Sequence, residues 1–164
     1  MYDQLKNKQP LPEKIWQDPW YFIASCFGIG SLPGMPGTYA TLVAIPFYLV
    51  MEKYLTGWLY LLVIVIAFFL FGKLSGRVSK EIGVPDHTGL ALDEVLGYWV
   101  TLFLLPPTWF NIIVGFILFR IFDIWKPLQI GWLDKNIESG YGMMLDDVMA
   151  GIFANIILQV IAIF

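Results

Sequence analysis

Charge is what this sequence has least of. Only 14% of its 164 residues are Asp, Glu, Lys or Arg, where a soluble domain carries roughly a quarter. A chain so poor in charge has too little polar surface to face water on every side. Cysteine occurs once, at Cys26, which excludes an intramolecular disulfide and a cysteine-built metal centre. That residue stands in the apolar run 21–28 and reads as a small buried hydrophobe. Histidine also occurs once, at His87. There is no basic stripe and the net charge is −3, so nucleic acid is not an expected partner. Lys6, Lys8 and Lys14 adjoin no apolar stretch with a small-residue cleavage site, so no cleaved signal peptide is expected.

What the chain has in excess is apolar surface: 58% hydrophobic residues, 17% aromatic, and a mean hydropathy of +0.69. Such a chain hides its surface in a partner or faces lipid, and lipid is the simpler answer. The expected fold is all-α, a polytopic membrane helical bundle of about five spanning helices. The apolar segments are 39–51, 58–71, 90–105, 109–122 and 148–164. Several fall short of the roughly 20 residues a span requires, so these helices are expected to run past their apolar cores or thin the bilayer locally. Residues 20–29 are too short to span and begin among Trp16, Trp20 and Tyr21. They read as an N-terminal interfacial or re-entrant segment. Nine of the ten Lys and Arg lie near the N-terminus, at 73–80 or at 120–135, and only Lys53 falls elsewhere. The positive-inside rule then puts residues 1–38, 73–89 and 123–147 in the cytoplasm.

Most acidic residues outside the N-terminal region gather on that same side. Asp93-Glu94 opens the third segment, Asp123 closes the fourth and Asp146-Asp147 opens the fifth. One acid at a helix start is accounted for by the helix dipole and a cap. Two adjacent pairs and a third acid exceed what capping needs, and acids at membrane depth are costly enough to be functional candidates. A weak internal repeat sharpens this: Leu92-Asp93-Glu94-Val95-Leu96-Gly97 resembles Leu145-Asp146-Asp147-Val148-Met149-Ala150-Gly151. Gly97 is four residues from Asp93 and Gly151 four from Asp147, so a spot without bulk lies one turn along the same face. Small residues there let two helices approach closely. The two helix starts are expected to face each other, with Asp93, Glu94, Asp123, Asp146 and Asp147 converging on a metal. An oxygen-only donor set selects a hard ion, Mg²⁺ first and Mn²⁺ second.

Arg120, i−3 from Asp123, and Lys126 are candidates for binding a phosphate; an intrahelical ion pair would also explain the first. Gly34-Met35-Pro36-Gly37-Thr38 leads into a helix, where N–H groups and the Thr38 hydroxyl can meet an anion. Gly140-Tyr141-Gly142 is a fainter version of that signal. His87 has the pKa range for general acid or base work.

These stretches resemble the phosphatidylglycerophosphatase A family. The resemblance is carried by Pro33-Gly34-Met35-Pro36-Gly37-Thr38, by Asp86-His87 through Asp93-Glu94-Val95-Leu96-Gly97, and by Phe119-Arg120-Ile121-Phe122-Asp123-Ile124-Trp125-Lys126-Pro127. It continues through Trp132-Leu133-Asp134 and Gly140 to Gly151, in family order, over residues 18–164. Residues 1–17 form a polar arm outside it. Leu128-Gln129 and Leu133 depart from the family's usual residues without removing a polar group. The resemblance implies a Mg²⁺-dependent phosphomonoesterase of the bacterial inner membrane, turning phosphatidylglycerophosphate into phosphatidylglycerol. The expected catalytic residues are Asp123, Asp146, Asp147 and His87. Arg120, Lys126, Thr38 and Gly37 are expected to bind substrate. Attack by water and formation of an aspartyl-phosphate both stay open. The competing class is a small ion or proton transporter, which predicts acids spread through the depth of the bilayer.

Overall fold

The computed structural model describes residues 11–84, 87–126 and 140–163. Among them are six α-helices and no strand, so the expected all-α class holds. The helices are α1 (Pro19–Ala24), α2 (Pro36–Tyr54), α3 (Gly57–Ile82), α4 (Leu92–Thr101), α5 (Trp109–Trp125) and α6 (Gly140–Ile163). The Trp132-Leu133-Asp134 motif and residues 1–10 lie outside the described residues.

Local chemistry explains most of the boundaries. Asp18 caps α1 by accepting the Trp20 N–H at 2.9 Å, with Pro19 in the first turn. Beyond α1, Cys26, Phe27 and Gly28 take positive φ values of 54°, 61° and 85° in succession. That turn folds the chain back so that Phe27 stacks on Phe47 of α2, with ring centroids 6.2 Å apart. Pro36 begins α2, and Gly83, at φ 74°, closes α3 in the left-handed cap that glycine favours. Thr108 caps α5 by accepting the Asn111 N–H at 3.2 Å.

α3 and α6, of 26 and 24 residues, are long and apolar enough to cross a membrane. Only 28% and 33% of their most apolar stretches are buried inside the protein, so most of that surface faces outward. A soluble protein rarely exposes so continuous an apolar face. At the centre lies α4, contacted by α2, α3, α5 and α6, with α6 its most extensive neighbour. A Cβ on Gly97 of α4 would stand 2.7 Å from the Asp147 carbonyl of α6, and a Cβ on Gly151 of α6 would collide with the Gly97 carbonyl. The two arms of the repeat therefore do face each other, through their glycines.

The third apolar segment differs from its expected form. Its helix stops at Thr101 after ten residues, about 15 Å of rise, half the hydrocarbon thickness. The chain continues irregularly, with Leu104 at φ 59°. Its carbonyls are met by side chains from other helices. Asn155 Nδ2 donates to Thr101 and Phe103 O at 2.9 and 2.8 Å, Tyr48 to Leu105 O at 2.9 Å, and Asn111 Nδ2 to Pro106 O at 2.9 Å. Side chains from three other helices thus satisfy four of the carbonyls that the interruption frees.

The N-terminal region packs onto the end of α3. Ile15, Tyr21 and Ala24 form a small core with Val78, Leu90 and Met143. Lys14 Nζ reaches Glu81 Oε2 at 3.0 Å, and the Ala91 N–H donates to Ala24 O at 3.1 Å. This segment sets the position of the turn into α4.

Candidate active site

Where α4, α5 and α6 converge at the start of α2, the expected acids come together. Asp93 lies in the first turn of α4 and accepts the Glu94 N–H on Oδ1 at 3.1 Å. Asp146 repeats this in α6, its Oδ1 accepting the Asp147 N–H at 3.1 Å. The helix begins at Gly140 rather than at the acids, so Asp146 and Asp147 sit well inside α6, with no acid in its first turn. Dipole stabilisation fades beyond that turn, so capping does not explain these two. They are 5% and 4% exposed, and Asp93 is 9% exposed.

Cations from α5 are threaded among the acids. Arg120 Nη1 stands 2.6 Å from Asp123 Oδ2 and 3.6 Å from Glu94 Oε1. Lys126, at the left-handed end of α5 (φ 42°), places Nζ 2.6 Å from Asp146 Oδ2. Asp147 is different: its Oδ2 is buried and accepts no hydrogen bond, while the charges of Asp123, Asp93, Asp146 and Glu94 act on it. A buried carboxylate oxygen without a partner is expensive.

Gly37 and Thr38 join the cluster from the first turn of α2. A Cβ on Gly37 would collide with the Glu94 carboxylate and stand 3.1 Å from Arg120 Nη1. Only glycine lets Glu94 lie against the backbone there. The neighbouring Thr38 Oγ1 is buried without a hydrogen-bond partner. The helix start thus offers backbone N–H groups, a hydroxyl and a guanidinium in one place, a combination suited to an anion. His87 stands buried in the loop before α4. Its Nδ1 accepts the Gly89 N–H at 3.0 Å and its carbonyl accepts the Leu90 N–H at 2.8 Å, which ties the imidazole to the loop's own fold. Gly140 and Gly142 are not a phosphate loop but residues of α6. A Cβ on Gly140 would collide with the backbone of Gly72 and Gly76, so this glycine serves the α3–α6 approach.

Among the described residues, no three His, Cys, Asp or Glu side chains already stand together as a metal ligand set; Asp123 and Asp146 face cations instead. The chemistry of the donors still fits a hard divalent ion, since all are carboxylate oxygens and Asp147 Oδ2 lacks a partner.

The sequence pattern did not reveal the contact between Gly37 and Glu94. Its one trace is a glycine placed second in a helix, where a better helix former is the norm.

These features define an all-helical protein with outward-facing apolar helices and a buried cluster of acids and cations between helix ends. The family model for phosphatidylglycerophosphatase A matches residues 22–162. The chain is 41% identical to phosphatidylglycerophosphatase A of Escherichia coli (strain K12) over 145 residues, 88% of this chain and 84% of that protein. It is 32% identical to phosphatidylglycerophosphatase A of Haemophilus influenzae over 155 residues, 94% and 95% of the two chains. A Bacteroides thetaiotaomicron relative, whose name proposes a phosphatidylinositol-3-phosphatase, is 33% identical over 144 residues, 84% of this chain and 90% of that protein. No solved structure matches the chain. The chain belongs to the phosphatidylglycerophosphatase A family.

Proposed function

We propose that the protein hydrolyses phosphatidylglycerophosphate to phosphatidylglycerol and phosphate, as a multi-pass enzyme of the bacterial inner membrane with its site at the cytoplasmic face. The observation that carries this is the meeting of five carboxylates, Arg120, Lys126 and the α2 N-terminus at one end of the bundle. A lipid phosphate sits at headgroup depth, where such a site can reach it while the acyl chains stay beside the apolar helices. α2 and α5 cross the bilayer with α3 and α6, and α4 serves as a half-helix that delivers Asp93 and Glu94. In this topology residues 20–29 form the re-entrant segment beside the site.

Arg120, Lys126, the Thr38 hydroxyl and the Gly37 and Thr38 N–H groups bind the phosphate oxygens, and the positive end of α2 favours their charge. When bound among Asp93, Glu94, Asp123, Asp146 and Asp147, Mg²⁺, or Mn²⁺ in its place, supplies neutralisation of the negative charge that makes phosphate monoesters resist attack. Asp147, with no hydrogen bond to give up on Oδ2, takes a proton from the attacking water. The water oxygen bonds to phosphorus, the bond from phosphorus to the glycerol oxygen breaks, that oxygen takes a proton from solvent as the diacyl lipid leaves, and Asp147 releases the proton it took up to solvent. Asp123 and Asp146 hold Arg120 and Lys126 in place by their 2.6 Å ion pairs. His87 shapes the loop before α4 through its hydrogen bonds with Gly89 and Leu90. The transporter reading is not favoured: among the described residues the Asp and Glu side chains gather toward the ends of the bundle rather than through its depth, as an ion path requires.

The test is phosphate release from phosphatidylglycerophosphate in detergent micelles with Mg²⁺, with Mn²⁺ and with chelator, alongside phosphatidylinositol 3-phosphate. Metal-dependent release from the first substrate is expected. Release from neither lipid by folded protein would overturn the assignment, and preference for the inositol lipid would overturn the substrate.

A further inference from the structure

The end of the bundle opposite the carboxylates holds a cavity of about 210 Å³, lined by Glu52, Tyr60, Phe103, Leu104 and Pro106 among others. Glu52 is the one carboxylate at that end among the described residues, and it forms no salt bridge there. Its neighbour Lys53 instead sends Nζ over the Tyr54 ring, 5.3 Å from the centroid. The Tyr60 and Phe103 rings lie 5.5 Å apart at the cavity wall. Leu104, held at φ 59°, is 65% exposed, and its carbonyl receives only a long 3.4 Å contact from Gln159 Nε2. A left-handed, solvent-facing leucine is costly for a β-carbon-bearing residue, and such local strain tends to mark places where the backbone is shaped for a ligand.

An unpaired carboxylate, an under-used carbonyl and two aromatic rings around one space suit a cation bearing N–H donors. The volume falls below the roughly 300–1,000 Å³ of a drug-sized site, so it fits a headgroup rather than a whole lipid or a nucleotide. The surrounding rim places the occupant. Tyr54, Trp58 and Trp109 are 70%, 83% and 76% exposed, and exposed Trp and Tyr collect at headgroup level. We infer that this cavity binds the primary ammonium of a phospholipid headgroup from the leaflet opposite the carboxylate cluster, with Glu52 as its counter-charge. The reading concerns a different surface from the proposed hydrolysis and stands without it.

The test is native mass spectrometry of the full chain in mild detergent with an equimolar mixture of phosphatidylethanolamine and phosphatidylglycerol. Wild type is expected to retain the ethanolamine lipid by roughly threefold to fivefold over the glycerol lipid, the size of a partly exposed charge pair. Glu52→Gln should erase that preference and Glu52→Lys should reverse it, both with unchanged thermal unfolding. Free ethanolamine, added in excess, should not displace the lipid. Equal retention of both lipids by wild type, or a preference that survives Glu52→Gln, would overturn the proposal. Displacement by free ethanolamine would overturn the lipid as occupant and point to a soluble amine.

Discussion

Replacing Gly151 by alanine inserts one methyl group at the crossing of α4 and α6. That carbon would collide with the Gly97 carbonyl and stand 3.1 Å from Val100 Cβ. Neither neighbour is the loose end of a side chain, so the two helices must part. Overpacking of this kind costs about 1–3 kcal/mol, offset by up to about 1 kcal/mol of better helix propensity. A net loss of about 1–2 kcal/mol is the result. The larger effect falls on chemistry, because Asp147 lies one turn from Gly151 and Asp93 one turn from Gly97. A misplacement near 1 Å can lower catalysis by about 100-fold, well beyond what the stability loss explains. The assay is phosphate release alongside thermal unfolding in detergent. Gly83→Ala is the control: a Cβ there meets nothing within 4 Å, the site is distant in sequence, and only left-handed strain of about 1–2 kcal/mol results. Wild-type activity in Gly151→Ala would refute the idea that this crossing positions the acids.

Other substitutions test other joints. Cys26 is 1% exposed; a maleimide at pH 8 should leave it unlabelled until the protein is unfolded. Asn155→Leu removes the side-chain donor from the Thr101 carbonyl and leaves Phe103 O with only the 3.3 Å contact from Gln159 Nε2, for a loss of about 1–3 kcal/mol read by thermal unfolding, and an unchanged midpoint would show that water already reaches them. Lys126→Met removes the ammonium that occupies Asp146, so Mn²⁺ binding followed by electron paramagnetic resonance should tighten several-fold while phosphate release falls. Unchanged Mn²⁺ affinity would separate Asp146 from the metal.

The face-to-face double acids were legible in the sequence because two ordinary signals coincide there, a repeated acid pair and a small residue one turn on. Arg120 with Asp123 was legible from i, i+3 spacing alone. The end of α4 was not. Residues 102–105 are as apolar as the helix before them, and the groups that satisfy the interruption, Tyr48, Asn111 and Asn155, come from three other helices. The start of α6 was hidden for the opposite reason. Asp146 and Asp147 interrupt the apolar run, so the helix reads as beginning after them, although it starts at Gly140. Gly140 itself looks like loop punctuation until its contact with Gly72 and Gly76 shows that close helix approach is its purpose. Tertiary contacts decide each of these cases, and a single sequence carries little trace of them.

The most direct measurement is phosphate release from phosphatidylglycerophosphate by Asp147→Asn, which keeps the shape of the side chain and removes its charge. With thermal unfolding and Lys126 environment preserved, release should fall by at least roughly 100-fold at saturating Mg²⁺. A folded Asp147→Asn protein that releases phosphate at the wild-type rate would contradict the assignment of the buried carboxylate cluster as the catalytic site.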